Sequence, residues 1–169
     1  MTTTAHRPRP ADARPPDGDL LARLAGMPAW LGRAATGLGD AKLRQAPGGG
    51  LALVEHAWHL ADLEREGFSE RLRRLRDEDG PFLPDFNGAR LVRERAYRTR
   101  SFAEGLAAFA AARARNLELL RGLPAAAWSR GGTQEGVGAV RLADLPRLMD
   151  EHDASHRDEV AALLLILAR

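Results

Sequence analysis

Residues 142–167 constrain the fold most, because they place apolar side chains at helical intervals over about seven turns. His152 and His156 fall in the same arc as these apolar residues, about 40° from each other, so both rings face the expected core. A single histidine on such a face is more often a core side chain, whereas two at this spacing can direct nitrogens at one ion. We therefore expect two metal ligands here and a third elsewhere. The apolar residues of this arc are Leu145, Met149, Val160, Leu163 and Leu167.

The composition favours helices and excludes several kinds of site. The chain is 44% hydrophobic but only 5% aromatic, and alanine and leucine supply most of the apolar content. It has no cysteine, which excludes disulfides, thiolate metal ligands and a protein thiol nucleophile. No window approaches 18 uncharged apolar residues, and the N-terminus has no apolar signal segment. We expect no membrane span and a cytoplasmic location.

The charge pattern argues against nucleic-acid binding in spite of a sequence pI near 9.9. The formal net charge is only +2, and acidic residues are interspersed with the arginines. The densest basic run, Arg71, Arg73, Arg74 and Arg76, is flanked by aspartate and glutamate, a pattern typical of a solvated helix face. Because no basic stripe with interleaved aromatics accompanies it, we expect no nucleic-acid partner.

The chain divides into a short tail and one helical domain. Residues 1–17 are rich in proline and polar residues and predict a disordered tail, while residues 18–169 have the length and pattern of a single domain. Four long amphipathic segments make an all-α four-helix bundle the simplest fold, with a long structured connection at 124–140 before the last helix. The predicted helices cover residues 19–38, 51–77, 101–121 and 142–167, with a short one at 89–97.

The second long helix offers the third ligand. Its polar stripe of Glu55, His59, Asp62 and Glu66 lies within about 60° and is typical either of a solvated face or of the edge of a polar cleft. In the cleft interpretation His59 is the third ligand, and Glu55 or Asp62 orients its ring. His56 points about 60° away and is the weaker candidate.

Two segments resemble a known family. Residues 54–64, VEHAWHLADLE, resemble the H-L-A-D-x-E segment of DinB-like (YfiT-like) proteins. Residues 142–156, LADLPRLMDEHDASH, resemble the last-helix segment of that family, and 128–138 resemble the connection before it. The resemblance covers residues 19–169. It implies an up-down-down-up four-helix bundle, often a homodimer, with a divalent metal held at His59, His152 and His156.

The resemblance also implies a class of chemistry. The family includes thiol-dependent S-transferases and isomerases that use low-molecular-weight thiols. We expect a metal-dependent transferase or hydrolase of a small molecule, with zinc as the default ion for imidazole ligands and nickel, iron or manganese as alternatives. A low-molecular-weight thiol is a candidate co-substrate.

Further roles and two rival functions remain open. Asp62 or Glu66 is a candidate general base or orienting group, and Arg93, Tyr97 and Arg100 are candidates to neutralise a substrate carboxylate. The first rival is a non-catalytic helical dimer that binds a metal or small ligand. The second is a metal-free helical dimer whose histidines only fill the core.

Overall fold

Four long helical segments dominate the computed structural model, which describes residues 13–168. A π-helical segment, Leu63–Phe68, joins two of the helices without a break. Residues 1–12, which hold most of the predicted disordered tail, and residue 169 lie outside the described residues. The helices are α1 (Gly18–Ala34), α2 (Asp40–Leu43), α3 (Leu53–Asp62), α4 (Ser69–Asp77), α5 (Gly88–Glu94), α6 (Phe102–Arg121) and α7 (Leu145–Leu167).

The first and third long segments, α1 and α6, run antiparallel. Near the start of α1, the Leu24 carbonyl accepts a hydrogen bond from Arg113, which lies in the second half of α6. Near the end of α1, Gly32 lies against Leu106, which lies in the first half of α6. Early residues of one helix therefore meet late residues of the other.

The second long segment, from α3 to α4, runs parallel to α6. Trp58 in α3 donates to the carbonyl of Ser101, the N-cap residue of α6. Further along both segments, the Ser69 hydroxyl donates to the side-chain oxygen of Asn116. Contacts therefore advance in the same direction along the two segments.

The last helix, α7, runs parallel to α1. Arg23 pairs with Asp150, and one turn later Met27 Sδ lies 3.2 Å from Nε of Arg157. Together with the two preceding relations, this gives the up-down-down-up order that the resemblance implied. The fold class is confirmed as a four-helix bundle. Among the described residues, none of the helices combines the length and apolar character needed to cross a bilayer.

The connection before α7 contains strands that the helical pattern did not predict. β2 (Gly131–Gln134) and β3 (Gly138–Arg141) form an antiparallel hairpin, and the short β1 (Phe82–Leu83) pairs in parallel with β2. Gly136 and Gly138 have φ values of +74° and +95°, which glycine adopts readily in a hairpin turn. A 3₁₀ turn then covers Leu142–Asp144, so α7 begins at Leu145 rather than at the predicted 142.

Other helix boundaries shift by a few residues. α1 ends at Ala34 rather than at 38, the second long segment begins at Leu53 rather than at 51, and α5 ends at Glu94 rather than at 97. A separate 3₁₀ turn, Tyr97–Thr99, follows α5. Cap geometry and glycine turns set these ends, and periodicity alone locates them poorly.

A buried ionic network joins the four long segments. Arg113 of α6 is 1% exposed and makes a bidentate pair with Asp153 of α7, at 2.7 and 2.9 Å. Nη2 of the same guanidinium also lies 2.8 Å from Oε1 of Glu64 in the π-helical segment. Asn116 of α6 donates to the same glutamate at 2.6 Å. Because Arg113 also donates to the carbonyl of Leu24 in α1, one side chain links all four segments.

Removing this cation should destabilise the protein strongly. We expect Arg113→Met to lower the free energy of unfolding by about 3–5 kcal/mol, because it leaves two buried carboxylates without their counter-ion. Arg115→Met removes an exposed arginine of the same helix and should change stability by less than about 0.5 kcal/mol. Urea unfolding followed by far-UV circular dichroism measures both. Equal effects of the two substitutions would contradict the structural role of Arg113.

Candidate metal centre

The antiparallel crossing of α3 and α7 gathers four histidines in the middle of the bundle. His59 comes from α3, and His152 and His156 come from successive turns of α7. Each of these three offers one ring nitrogen, and the three nitrogens lie within 4.8 Å of one another. The structure thus brings together the three residues that the sequence nominated as ligands.

One distance within this group matches the separation of two ligand atoms that bind the same metal ion. Nε2 of His152 and Nε2 of His156 lie 3.3 Å apart. Two imidazole nitrogens bound about 2.05 Å from a tetrahedral ion are separated by about 3.3 Å. The ring of His59 lies alongside, with its centroid 5.0 Å from that of His156 and 5.6 Å from that of His152. The donor set therefore fits a small divalent ion.

His56, the weaker candidate from sequence, lies directly behind His156. It is 1% exposed, and its Nδ1 lies 2.8 Å from Nδ1 of His156, within hydrogen-bonding distance. Glu159, which is half exposed, has a carboxylate oxygen 3.6 Å from the same Nδ1. His56, His156 and Glu159 therefore form a second group that could hold an ion. The two groups share His156.

Burial keeps these imidazoles neutral near pH 7. It lowers the pKa of His56 and His152 to about 3, and that of His59 and His156 to about 4. For His56, His59 and His152 the neighbouring histidines depress the pKa further. A neutral imidazole has a free lone pair, which is the form that binds a metal.

Asp62 and Glu66, two carboxylates of the polar stripe, pair with arginine side chains and not with the histidine rings. Asp62 is fully buried and accepts hydrogen bonds from Arg65, Arg95 and Tyr97. Glu66 pairs with Arg95, whose Nη1 lies 2.6 Å from its Oε1. The general-base role expected for Asp62 or Glu66 stays a prediction.

Glu55 also serves the helix itself. Its carboxylate accepts from the backbone N–H of Ala52 at 2.8 Å, at the start of α3, and pairs with Arg98 at 2.7 Å. The interpretation of the stripe as a solvated face is wrong for Glu55 and Asp62, which are 5% and 0% exposed. Neither carboxylate is hydrogen-bonded to His59 in the described chain, so the expected orientation of its ring by one of them is not observed.

The three residues nominated for the substrate lie elsewhere around α5 and its following turn. Tyr97 is buried with its hydroxyl on Asp62, and that burial raises the pKa of its phenol. The Arg100 guanidinium lies 3.2 Å from the ring centroid of Trp58. Arg93 is exposed. Their contact with a substrate stays a prediction.

A cavity of about 230 Å³ opens beside the histidines. His59 and His152 form part of its wall, together with apolar side chains that include Phe86 and Leu148. Arg71 and Gln134 also line it, and sequence reasoning nominated neither of them. The cavity is smaller than the ~300–1,000 Å³ typical of sites for drug-sized ligands, so it suits a small molecule.

Arg71 is buried, which corrects its assignment to a solvated helix face. It is 8% exposed, whereas the side chains of Arg73 and Arg76 are 48% and 42% exposed. In a regular helix Arg71 would point about 120° away from His59. The π-helical segment accommodates one extra residue in its turn, which reduces the angle between Arg71 and His59 by about 100°. Arg71 therefore shares the face of His59.

Comparison with known proteins places the chain in a family. A sequence profile described as the DinB superfamily matches residues 9–160. The chain belongs to the DinB superfamily. None of the curated proteins matches its sequence.

One solved structure shows the same fold. It is described as "YfiT from Bacillus subtilis is a probable metal-dependent hydrolase with an unusual four-helix bundle topology". It superposes with a TM-score of 0.82 at 20% sequence identity, over 96% of this chain and 94% of that one. At this identity the likeness establishes the fold alone.

In this member of the DinB superfamily, the absence of a side chain at Gly88 leaves room for the ring of His59. A Cβ at position 88 would come within 2.8 Å of Nδ1 of His59 and closer still to Cε1. We expect Gly88→Ala to displace the ring and weaken metal binding about 10- to 100-fold, although alanine is the better helix former. Gly26→Ala is the matched control, because nothing lies within 4 Å of its added Cβ. Competition titration with a chromophoric chelator measures both, and an unchanged affinity in Gly88→Ala would contradict this account.

The depressed histidine pKa values predict a pH-dependent stability of the metal-free protein. In the unfolded chain these histidines titrate near pH 6.5, whereas in the folded chain they titrate at about 3 to 4. Their contribution is therefore complete above pH 6.5 and declines as the pH falls toward the folded values, by up to about 1.4 kcal/mol per pH unit for each proton.

Urea unfolding of chelator-treated protein between pH 7 and pH 5 tests this dependence. The free energy of unfolding should fall with pH, and the slope should be smaller in a His152→Asn variant, which has one buried imidazole fewer. A wild-type slope no steeper than that of the variant would rule the explanation out.

Proposed function

We propose that this protein is a divalent-metal-dependent enzyme, of hydrolase or thiol S-transferase type, with His59, His152 and His156 as ligands. The observation that carries the proposal is the 3.3 Å separation of the two Nε2 atoms on α7, with His59 beside them. Three neutral imidazoles leave coordination positions open, which is typical of catalytic sites. The adjacent cavity gives a small molecule a place beside those positions.

His56 acts as the residue that orients His156. If Nε2 of His156 binds the ion, its ring proton resides on Nδ1, which faces Nδ1 of His56 at 2.8 Å. His156 then donates and His56 accepts, so His56 carries its own proton on Nε2. Such a partner holds the ring of a ligand in the required direction.

A bound divalent ion would lower the pKa of a water or thiol ligand and supply a nucleophile near neutral pH. Water is the first choice, because the YfiT structure is described as a probable metal-dependent hydrolase. A low-molecular-weight thiol is the second, from the family resemblance. Zinc is the proposed ion, with nickel, iron or manganese as the alternatives.

Metal content provides the first test. We expect about one equivalent of a transition metal in untagged protein by inductively coupled plasma mass spectrometry, and its loss in His156→Ala. His6→Ala is the control, because it removes a histidine that is not among the three proposed ligands. A His56→Leu variant should retain a site whose affinity is about 10- to 100-fold weaker. Absence of metal from the wild type even after incubation with zinc would favour the rival in which histidines only fill the core.

Turnover separates an enzyme from a non-catalytic binding protein. The metal-loaded protein is screened against small esters and amides, with and without a low-molecular-weight thiol. Hydrolysis or thiol transfer that disappears in His156→Ala supports catalysis. Stoichiometric metal without turnover in either arm would favour the binding protein. The same proposal includes a small-molecule substrate, a homodimer, a cytoplasmic location and the lack of a nucleic-acid or membrane partner.

A further inference from the structure

One arginine of the cavity beside the histidines has no close counter-ion among the described residues. Arg71 is 8% exposed, and within residues 13–168 no carboxylate lies within ion-pairing distance of its guanidinium. Its guanidinium lies 5.6 Å from the centre of the Phe68 ring and is attracted over a longer range by Asp85. Burying an arginine without a partner is costly, and such groups are normally paired. The cavity therefore offers this cation to an anion from outside the chain.

A second polar group in the same cavity also lacks a partner. Gln134 of β2 is 7% exposed, and within the described chain its buried Oε1 accepts no hydrogen bond. Buried polar atoms are nearly always paired, so an orphaned acceptor in a residue that lines the cavity points to a ligand donor. Gln134 belongs to the β2–β3 hairpin, an element separate from the helix that carries Arg71.

We propose that this cavity binds the substrate as a small carboxylate, with its anionic group on Arg71 and an N–H or O–H donor on Oε1 of Gln134. Arginine suits this role because its planar guanidinium can bind a carboxylate through two parallel hydrogen bonds. Phe86 and Leu148 on the same wall accommodate an apolar portion between the charged end and the histidines. The inference rests on the proposed function, because it takes the cavity as the place where substrate meets the metal ligands.

The charge balance of the wall favours a single negative charge. Arg71 is the one arginine or lysine among the lining residues, and the carboxylate of Asp85 lies on the same wall. A carboxylate and a phosphate would meet the same cation and the same anion, but a doubly charged phosphate carries one negative charge more than Arg71 can neutralise. We therefore assign a monoanionic substrate.

Fluorine NMR with two probes of the same shape tests the assignment. The probes are 4-fluorobenzoate, which carries the anion, and 4-fluorobenzamide, its neutral counterpart. In metal-free wild-type protein the benzoate should bind about tenfold or more tightly than the amide. Using metal-free protein ensures that the preference does not come from carboxylate binding to an ion. No preference in the wild type would overturn the proposal.

Two substitutions and one control test which residues cause the preference for the benzoate over the amide. Arg71→Met should abolish it without weakening the amide, whereas Arg73→Met, which changes an exposed arginine of the same helix, should leave it intact. Gln134→Glu keeps the size and an acceptor, so it should weaken the benzoate selectively by repulsion and still bind the amide. Retained preference in a folded Arg71→Met variant would overturn the proposal. If Arg71→Met does not fold, the Gln134→Glu result decides.

Two further measurements separate this inference from the proposed function. Tighter binding of 4-fluorophenylphosphonate than of 4-fluorobenzoate would overturn the assignment to a monoanion. After loading with Co²⁺, the benzoate fluorine signal should broaden because the paramagnetic ion lies beside the cavity. If the protein does not bind Co²⁺, the proposed function fails. The preference measured in metal-free protein still tests whether the cavity binds an anion. If Co²⁺ loads and the bound probe does not broaden, the cavity is not the substrate site.

Discussion

The buried side chain of Arg113 connects the structure of the bundle to the geometry of its candidate site. It holds Glu64 of the π-helical segment and Asp153 of α7 while its own helix packs against α1. Asp153 follows His152 directly in the chain, and Glu64 lies one turn beyond His59. The network therefore sets the relative positions of α3 and α7 close to the point where their histidines meet. Burial of the three charges is tolerable only because they neutralise one another at close range.

The π-helical segment has a second effect on the site. It contains Glu64, which meets Arg113 inside the bundle, and it places Arg71 on the same face as His59. An uninterrupted α-helix would direct Arg71 about 120° away from His59. Such segments are frequent at functional sites, and here one segment serves both the core network and the cavity wall. The proposed anion site thus depends on a local departure from regular helical geometry.

Family membership and the site rest on different observations. The profile match and the superposition on YfiT establish the superfamily and the bundle. This chain's own structure shows the neutral, converging imidazoles, the hydrogen bond between His56 and His156 and the orphaned side-chain oxygen of Gln134. Sequence reasoning nominated His152 and His156 because helical periodicity places them on the inward face of the last helix. It nominated His59 from a polar stripe that can border a cleft and from the family resemblance. It missed Arg71 and Gln134, because a phase shift within a helix and a hairpin register leave no signal in hydrophobic periodicity.

The sequence by itself determined the helical composition, the bundle class, the exclusion of cysteine chemistry and the three candidate ligands, since these follow from residue type and from spacing along one helix at a time. Only the tertiary structure decided which polar groups are paired. Asp62 and Glu66 pair with an arginine side chain, His56 lies behind His156, and Arg71 is left beside an open cavity. These outcomes depend on which residues of distant segments come within a few ångströms, and electrostatic interactions and hydrogen bonds act only over such distances.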